Sequence, residues 1–334
     1  MITNNSNRIY FKGYCRGIIL IQGQVQFIPV DLIDYINEES REINIEYENF
    51  ISQNQLKVFN CDTINFKWDS YSIISNVIYE LSDHNDFRII NFIQNVLLCK
   101  LIIIKINDSN RLNVLLKFLK SEIFVEVYLI IYFTIENKDF FKSIINFPNV
   151  TKIFINSDNF TLSSNKIYLR SIPNKYSGNL IHINPNFELI SESQYHHTYF
   201  NRKLYIGPNG EIKNAPECEE TFGSIKDLDS VEDLKEIIST PAFQKYWFVH
   251  KDLCDVCKHC EFRHMCVDNR MPFERADNQW YHKIECNYNP FIAKWEGDPG
   301  YRTLSECGVI SNENEFSIDH DRIAEINKEI WEEE

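Results

Sequence analysis

Residues 100–133 read KLIIIKINDSNRLNVLLKFLKSEIFVEVYLIIYF, two apolar runs separated by a charged, periodic one. Residues 100–106 and 126–133 are short and rich in β-branched side chains, the pattern of strands buried on both faces of a parallel sheet. Between them Leu112, Leu115, Leu116 and Leu119 recur at helical spacing, so the segment reads strand, helix, strand. Helical and extended pieces alternate in the same way, at roughly 25-residue spacing, from 71 to about 184. YSIISNVIYELSD (71–83) reads as a helix and TKIFIN (151–156) as a further strand. The expectation for residues 66–198 is therefore α/β, either a parallel sheet covered by helices or a partial βα barrel. Its apolar residues are core, and no glycine-rich phosphate loop or paired-carboxylate site stands among them.

Before this region, residues 1–65 read as a small module of their own. CRGIILIQGQVQFIP (15–29) alternates and breaks like a hairpin with Gly23 near its turn, and VDLIDYINEE (30–39) has helical spacing. A second helix at 45–52 and a strand at 56–60 complete the order strand, strand, helix, helix, strand, which suits a winged-helix-like module. An irregular cap on the next domain is the alternative.

After it, residues 199–334 form a loop-rich third part. LYIGPNGEIKN (204–214) signals a hairpin, because Asn209-Gly210 tolerates the positive φ of a tight turn. Two helices are expected next, DSVEDLKEIIS (229–239) with Ser230 and Asp233 as a capping box, and TPAFQKYWFV (240–249) with Thr240 as N-cap and Pro241 first in the helix. The tail ending IWEEE reads as a short acidic helix.

Length and charge narrow the function. A chain of 334 residues suits two domains and a small appended module. Its net charge of −14, with no run of Lys or Arg, argues against nucleic acid as a partner. The longest apolar stretches are short or interrupted by Lys100, Lys105 and Glu126, and no apolar signal region follows Met1, so no membrane segment and a cytoplasmic location are expected. In a reducing compartment ten cysteines argue for metal binding over a disulfide framework.

CDVCKHCEFRHMC (254–266) concentrates those thiols. Two-residue gaps separate Cys254, Cys257 and Cys260, and five residues separate Cys260 from Cys266. Such gaps let thiolates converge on one metal. One zinc or one [4Fe–4S] cube takes four ligands, and with Cys286 the segment offers five, so spacing leaves the two open. His250, His259, His264 and His282 lie nearby, read as surface or supporting residues before ligands.

The series Cys257, Cys260, Cys266, preceded by the Asn209-Gly210 hairpin and the FGSI turn at 222–225 and followed by Cys286, resembles a SPASM domain. Such domains form the C-terminal part of many radical S-adenosylmethionine enzymes that modify ribosomal peptides. The wider pattern includes CEFRHMCVDNR (260–270), ECNYNPFIAKW (285–295) and RGIILIQGQVQFIPVDLIDYI (16–36). It most resembles the SPASM-domain peptide maturases of grasp-with-spasm systems, which are encoded beside an ATP-grasp peptide ligase. The resemblance implies a degenerate radical-enzyme-like α/β domain, then an iron–sulfur domain at 199–334. It places one [4Fe–4S] cluster on Cys257, Cys260, Cys266 and Cys286, with Cys254, Cys218 and Cys307 as lesser alternates. The ligand positions of a further cluster fall on Ala215 and Arg270, which implies its loss.

The chain has no CxxxCxxC triplet, since Cys15, Cys61 and Cys99 are isolated, so no radical S-adenosylmethionine activity is expected. The resemblance then implies an accessory maturation protein that binds the precursor peptide, its ATP-grasp ligase, or both. The N-terminal module would recognise the precursor leader by strand addition to the 15–29 hairpin. One alternative is a peptide-modifying enzyme independent of S-adenosylmethionine cleavage, with Arg263, Asp268, Arg270 or Arg275 as polar groups. Another is a zinc-stapled structural or binding protein.

Overall fold

The computed structural model describes residues 2–5, 8–21, 24–37, 45–54, 70–81, 87–120, 125–132, 138–155, 164–169, 181–275 and 278–331. It is mixed α/β, with eight α-helices among the described residues and a seven-stranded sheet dominated by parallel pairs. The chain divides into two compact units, Met1–Trp68 with Asn179–Thr198 and Phe248–Glu334, and Asp69–Gly178 with Tyr199–Trp247.

The first unit begins with an antiparallel meander, β1 (Ile2–Asn5), β2 (Arg8–Lys12), β3 (Arg16–Ile21) and β4 (Gln24–Pro29), in spatial order β1-β2-β3-β4. Strand alternation sends Tyr10, Ile19 and Ile28 to one face, where α1 (Val30–Asn37) covers them with Leu32, Ile33 and Ile36 and α2 (Ile45–Gln53) adds Ile51. Ile9, Phe11, Ile18 and Leu20 emerge on the other face and pack against Phe262, Met265 and Tyr288 from the cysteine-rich segment. The expected hairpin and both helices are present. Gly23 and the strand expected at 56–60 lie outside the described residues.

The second unit carries β5 (Asn76–Glu80), α3 (Phe87–Asn95), β6 (Leu101–Ile106), α4 (Leu112–Lys120), β7 (Glu126–Ile131), α5 (Lys138–Ile145), β8 (Val150–Ile155) and β9 (Ile167–Leu169). These strands pair in parallel and in sequence order. Right-handed crossovers that always step the same way leave their helices on a single face. Val77, Ile102, Ile104, Val127, Leu129 and Ile153 accordingly share a core with Ile93, Leu115 and Phe141 from α3, α4 and α5. Ile78, Ile103, Tyr128, Ile130 and Phe154 alternate onto the opposite face and stay outside that core.

Of residues 71–83, expected as a helix, 71–75 are instead bends leading into β5 at 76–80, and 82–83 lie outside the described residues. Ile73, Ile74, Val77, Ile78 and Leu81 match helical spacing, but β5 is an interior strand between parallel neighbours, where apolar residues run on regardless of period. The chain next contributes β10 (Ile181–Ile183) and α6 (Phe187–Ser193) to the first unit. It then returns to the sheet with β11 (Lys203–Ile206) and β12 (Ile212–Lys213), which form the expected hairpin. Its turn is five residues long and only Gly210 takes positive φ, +88°. The hairpin also extends the large sheet, because β11 pairs in parallel with β5.

Before α7 (Asp233–Ile238) the expected box is present only in part: Ser230 N–H and Oγ–H donate to the Asp233 carboxylate at 2.8 and 3.0 Å, but the helix begins at Asp233 itself, and its N-cap, Glu232, makes no side-chain cap bond. Thr240 accepts from the Phe243 N–H at 3.2 Å as a cap does, but residues 241–248 continue as turns and not as the expected second helix.

The first unit closes with small antiparallel pairs: β13 (Cys266–Asp268) on β10, β14 (Pro272–Glu274) on β15 (Trp280–His282), β16 (Tyr288–Asn289) on β17 (Lys294–Trp295), and β18 (Val309–Ser311) on β19 (Phe316–Ile318). The helix α8 (His320–Trp331) follows as the expected tail helix. No described helix is long and apolar enough to cross a membrane.

Candidate metal centre

Four cysteines line one cavity of about 120 Å³: Cys257, Cys260, Cys266 and Cys286. Short backbone devices bring each there. Tight turns at Lys251–Leu253 and Cys257–His259, closed by Cys254 N–H to Lys251 O at 3.1 Å and Cys260 N–H to Cys257 O at 3.0 Å, turn the chain sharply around the first two. Cys266 opens β13, which is held in register by Ile183 of β10, and Asp268 follows on the same side of the strand. Beyond the β14–β15 hairpin, Cys286 is fixed by the Tyr288 N–H, which donates to its sulfur at 3.4 Å.

The thiols feel one another. Burial raises the pKa of Cys260 well above its ordinary value, and Glu261, Cys266, Cys286 and Cys257 push in the same direction. Burial likewise raises Cys266 and Cys286, with Cys257 adding to both. Raised in this way, Cys260, Cys266 and Cys286 are neutral as free thiols at pH 7, and a bound cationic metal centre is what would let them ionise.

Behind the thiols stands a buried ion network. Lys251 and Arg270 both hold Asp268, Lys251 through its ammonium and Arg270 through Nε at 3.0 Å and Nη2 at 2.8 Å. Burial alone would raise the Asp268 pKa, but the two cations hold it well below the usual carboxylate range. Arg270 also donates to Ile284 O at 2.9 Å and points Nη2 at the Cys257 sulfur, 3.8 Å away. Two cations against one carboxylate leave this wall of the cavity with a net positive charge, the environment an anionic thiolate-bound group requires.

Of the four nearby histidines only His282 lines the cavity. Its Nδ1 lies 3.1 Å from Met271 O, and a carbonyl can only accept, so Nδ1 carries the proton. Burial first, then Lys251 and Arg270, depress its pKa and keep it neutral, which leaves Nε2 as a buried lone pair with no hydrogen-bond partner. His282, Cys257 and Asp268 form a possible metal-binding triad, with donor atoms all within 4.8 Å of one another. His264 bonds Ser193 at 3.1 Å, His259 packs on Phe291 and Phe316, and His250 lies 3.6 Å from Asp252.

Of the remaining sequence candidates Arg263 also lines the cavity, and the others fall elsewhere. Cys254 is fully buried behind the first turn, facing His250 O, and does not line the cavity. Cys307 accepts from Asn289 Nδ2 at 3.4 Å within a separate apolar cluster. Cys218 and Ala215 are buried in the second unit. Arg263 is spent on Asp252 and on the carbonyls of Lys12 and Cys260, and Arg275 on Asp255. Lys251 is the site residue that spacing did not mark, since only folding brings it to Asp268. No family model matches the chain, and no curated protein or solved structure matches it either.

Proposed function

We propose that the protein is an accessory maturation factor for a ribosomally synthesised peptide, carrying one [4Fe–4S] cluster on Cys257, Cys260, Cys266 and Cys286. The observation that carries the cluster is the cavity that collects these four thiols against a net positive wall. Two features favour a cube over a lone zinc ion. A tetrahedral zinc with bonds of about 2.3 Å draws its sulfurs to about 3.8 Å from one another. The four sulfurs here are not gathered in that way; the set of donors lying mutually within 4.8 Å is Cys257 with Asp268 and His282. A cavity of about 120 Å³ also holds several atoms where one ion needs far less. The triad favours the zinc reading, but Asp268 is already saturated by Lys251 and Arg270, and those charges repel a divalent cation.

Anaerobically purified protein is expected to contain about four irons and matching sulfide, with broad absorbance near about 400 nm, as a cube bound by four thiolates does. Serine at Cys257, Cys260, Cys266 or Cys286 should lower the iron, and serine at Cys254 or Cys307 should not. Stoichiometric zinc without iron would replace the cluster with the zinc-stapled alternative. With four cysteine ligands no iron is open to a substrate, so the cluster folds the segment or carries electrons.

For the partner, β4 supports recognition of an extended leader peptide in the cytoplasm, with the ATP-grasp ligase acting on the same precursor. It is an edge strand of the N-terminal meander among the described residues, and QVQFIP carries none of the charges that usually blunt such an edge. Titration of a labelled precursor leader should give weaker binding to a Gln24→Lys, Gln26→Lys double variant than to the parent. Equal affinity would remove the edge from recognition.

A further inference from the structure

Lys251, Asp268 and Arg270 are 2%, 0% and 7% exposed, so their charges act in a poorly screened interior. A Lys–Asp pair alone would be neutral. Arg270 makes the group cationic and aims its Nη2 N–H at the sulfur of Cys257, 3.8 Å away. Its fork is fixed by both oxygens of Asp268 and its Nη1 by Ile284 O, so the direction of that donor is built in. Nearby net charge and hydrogen bonds to ligand sulfurs are the two main protein levers on the potential of an iron–sulfur centre.

We infer that Arg270 is a positioning residue that sets the reduction potential of the centre: with Lys251 and Asp268 it forms one buried cationic unit that favours the reduced cluster, making it a redox-competent carrier as well as a staple. The inference rests on the four-thiol cluster reading. The electron would come from an external one-electron donor and reside on the cluster, whose charge becomes more negative by one as the donor is oxidised. Adjacent positive charge stabilises that reduced form more than the oxidised one.

The charge arithmetic gives variants of opposite sign. Arg270→Gln leaves a balanced Lys251–Asp268 pair and deletes the N–H directed at Cys257, so the centre should become harder to reduce. Asp268→Asn leaves two cations facing the thiolates, so it should become easier. Arg270→Lys keeps the charge but loses the fork and should fall between Arg270→Gln and the parent.

The test is a dithionite titration with redox mediators, followed by electron paramagnetic resonance, on full-length protein whose iron and sulfide have been counted. At the parent's midpoint the reduced-to-oxidised ratio should fall at least tenfold in Arg270→Gln, which for a one-electron couple is about 59 mV, and rise in Asp268→Asn. Full iron with coincident midpoints in all variants, or shifts of the same sign in both, would overturn the inference and leave the cluster reading standing. Parent protein without iron would overturn both, and a parent cluster that dithionite cannot reduce would leave it only the folding role.

Discussion

Lys105 lies near the end of β6, in register with Glu80 of β5, with Nζ 3.7 Å from the Glu80 carboxylate. Burial lowers its pKa to about 8 from the ordinary 10.5, and Glu80 and Glu217 recover only part of the shift. The sign follows directly. Between pH 8 and 10.5 the unfolded chain holds a proton that the folded chain has released, so stability rises with pH across that window, and below pH 8 the penalty is fully present. Urea unfolding at pH 8, 9 and 10 should show the parent gaining up to about 3 kcal/mol relative to a Lys105→Met, Glu80→Gln double variant. A flat difference would mean that Lys105 does not titrate there. Gly13 poses a steric question instead. A Cβ there would meet Arg16 O at 2.7 Å and the backbone N of Glu261 at 2.9 Å, neither of which can swing aside. Gly13→Ala should cost about 2 kcal/mol, read from the denaturant midpoint. What was legible at this scale was local: gaps of two residues brought Cys257 and Cys260 together. The partners of Cys257, namely Lys251, Asp268, Arg270 and His282, come from a turn, β13, the loop after it and β15, and no spacing says that they converge or marks Lys251 at all.

The same division between local and distant causes holds for elements. α4 was legible because its apolar stripe is set by its own sequence, with Leu115 fully buried against the sheet and the polar positions outward. Leu115→Ala should therefore cost between about 2 and 5 kcal/mol, the range for emptying a buried leucine site, and should speed unfolding measured by stopped-flow. A loss below about 1 kcal/mol would place that side chain outside the core. β5 was misread for the complementary reason. Its identity comes from β6 and β11 on either side, the latter more than a hundred residues later in the chain, and periodicity cannot register a neighbour that distant. The 240–249 segment failed differently. Thr240 supplies a proper cap, yet Phe243 and Trp247 are drawn into the core of the large sheet, and tertiary packing holds the chain in turns after the first bond.

At the scale of the molecule, the N-terminal module and the cysteine-rich segment, far apart in sequence, share one compact unit. Glu261 joins them, accepting from Arg16 at 2.7 Å and from the Tyr288 hydroxyl. Tyr14 N–H donates to His259 O at 2.8 Å and Arg263 to Lys12 O at 2.7 Å. The meander therefore rests on the same turns that present the four thiols. A ligand held by the native state alone adds its binding free energy to the stability of the unit that holds it. On the four-thiol reading, stripping the metal anaerobically with a chelator under reducing conditions should weaken amide protection in β2 and β3, although neither strand supplies a ligand. The second unit, whose core runs through Ile102, Ile104, Leu115 and Leu129, has no thiol of the cavity in it and should keep its protection. Hydrogen exchange resolved by peptide reads both at once. Loss confined to 254–286 would show the meander stable without the metal, and equal loss in both units would show that they unfold as one.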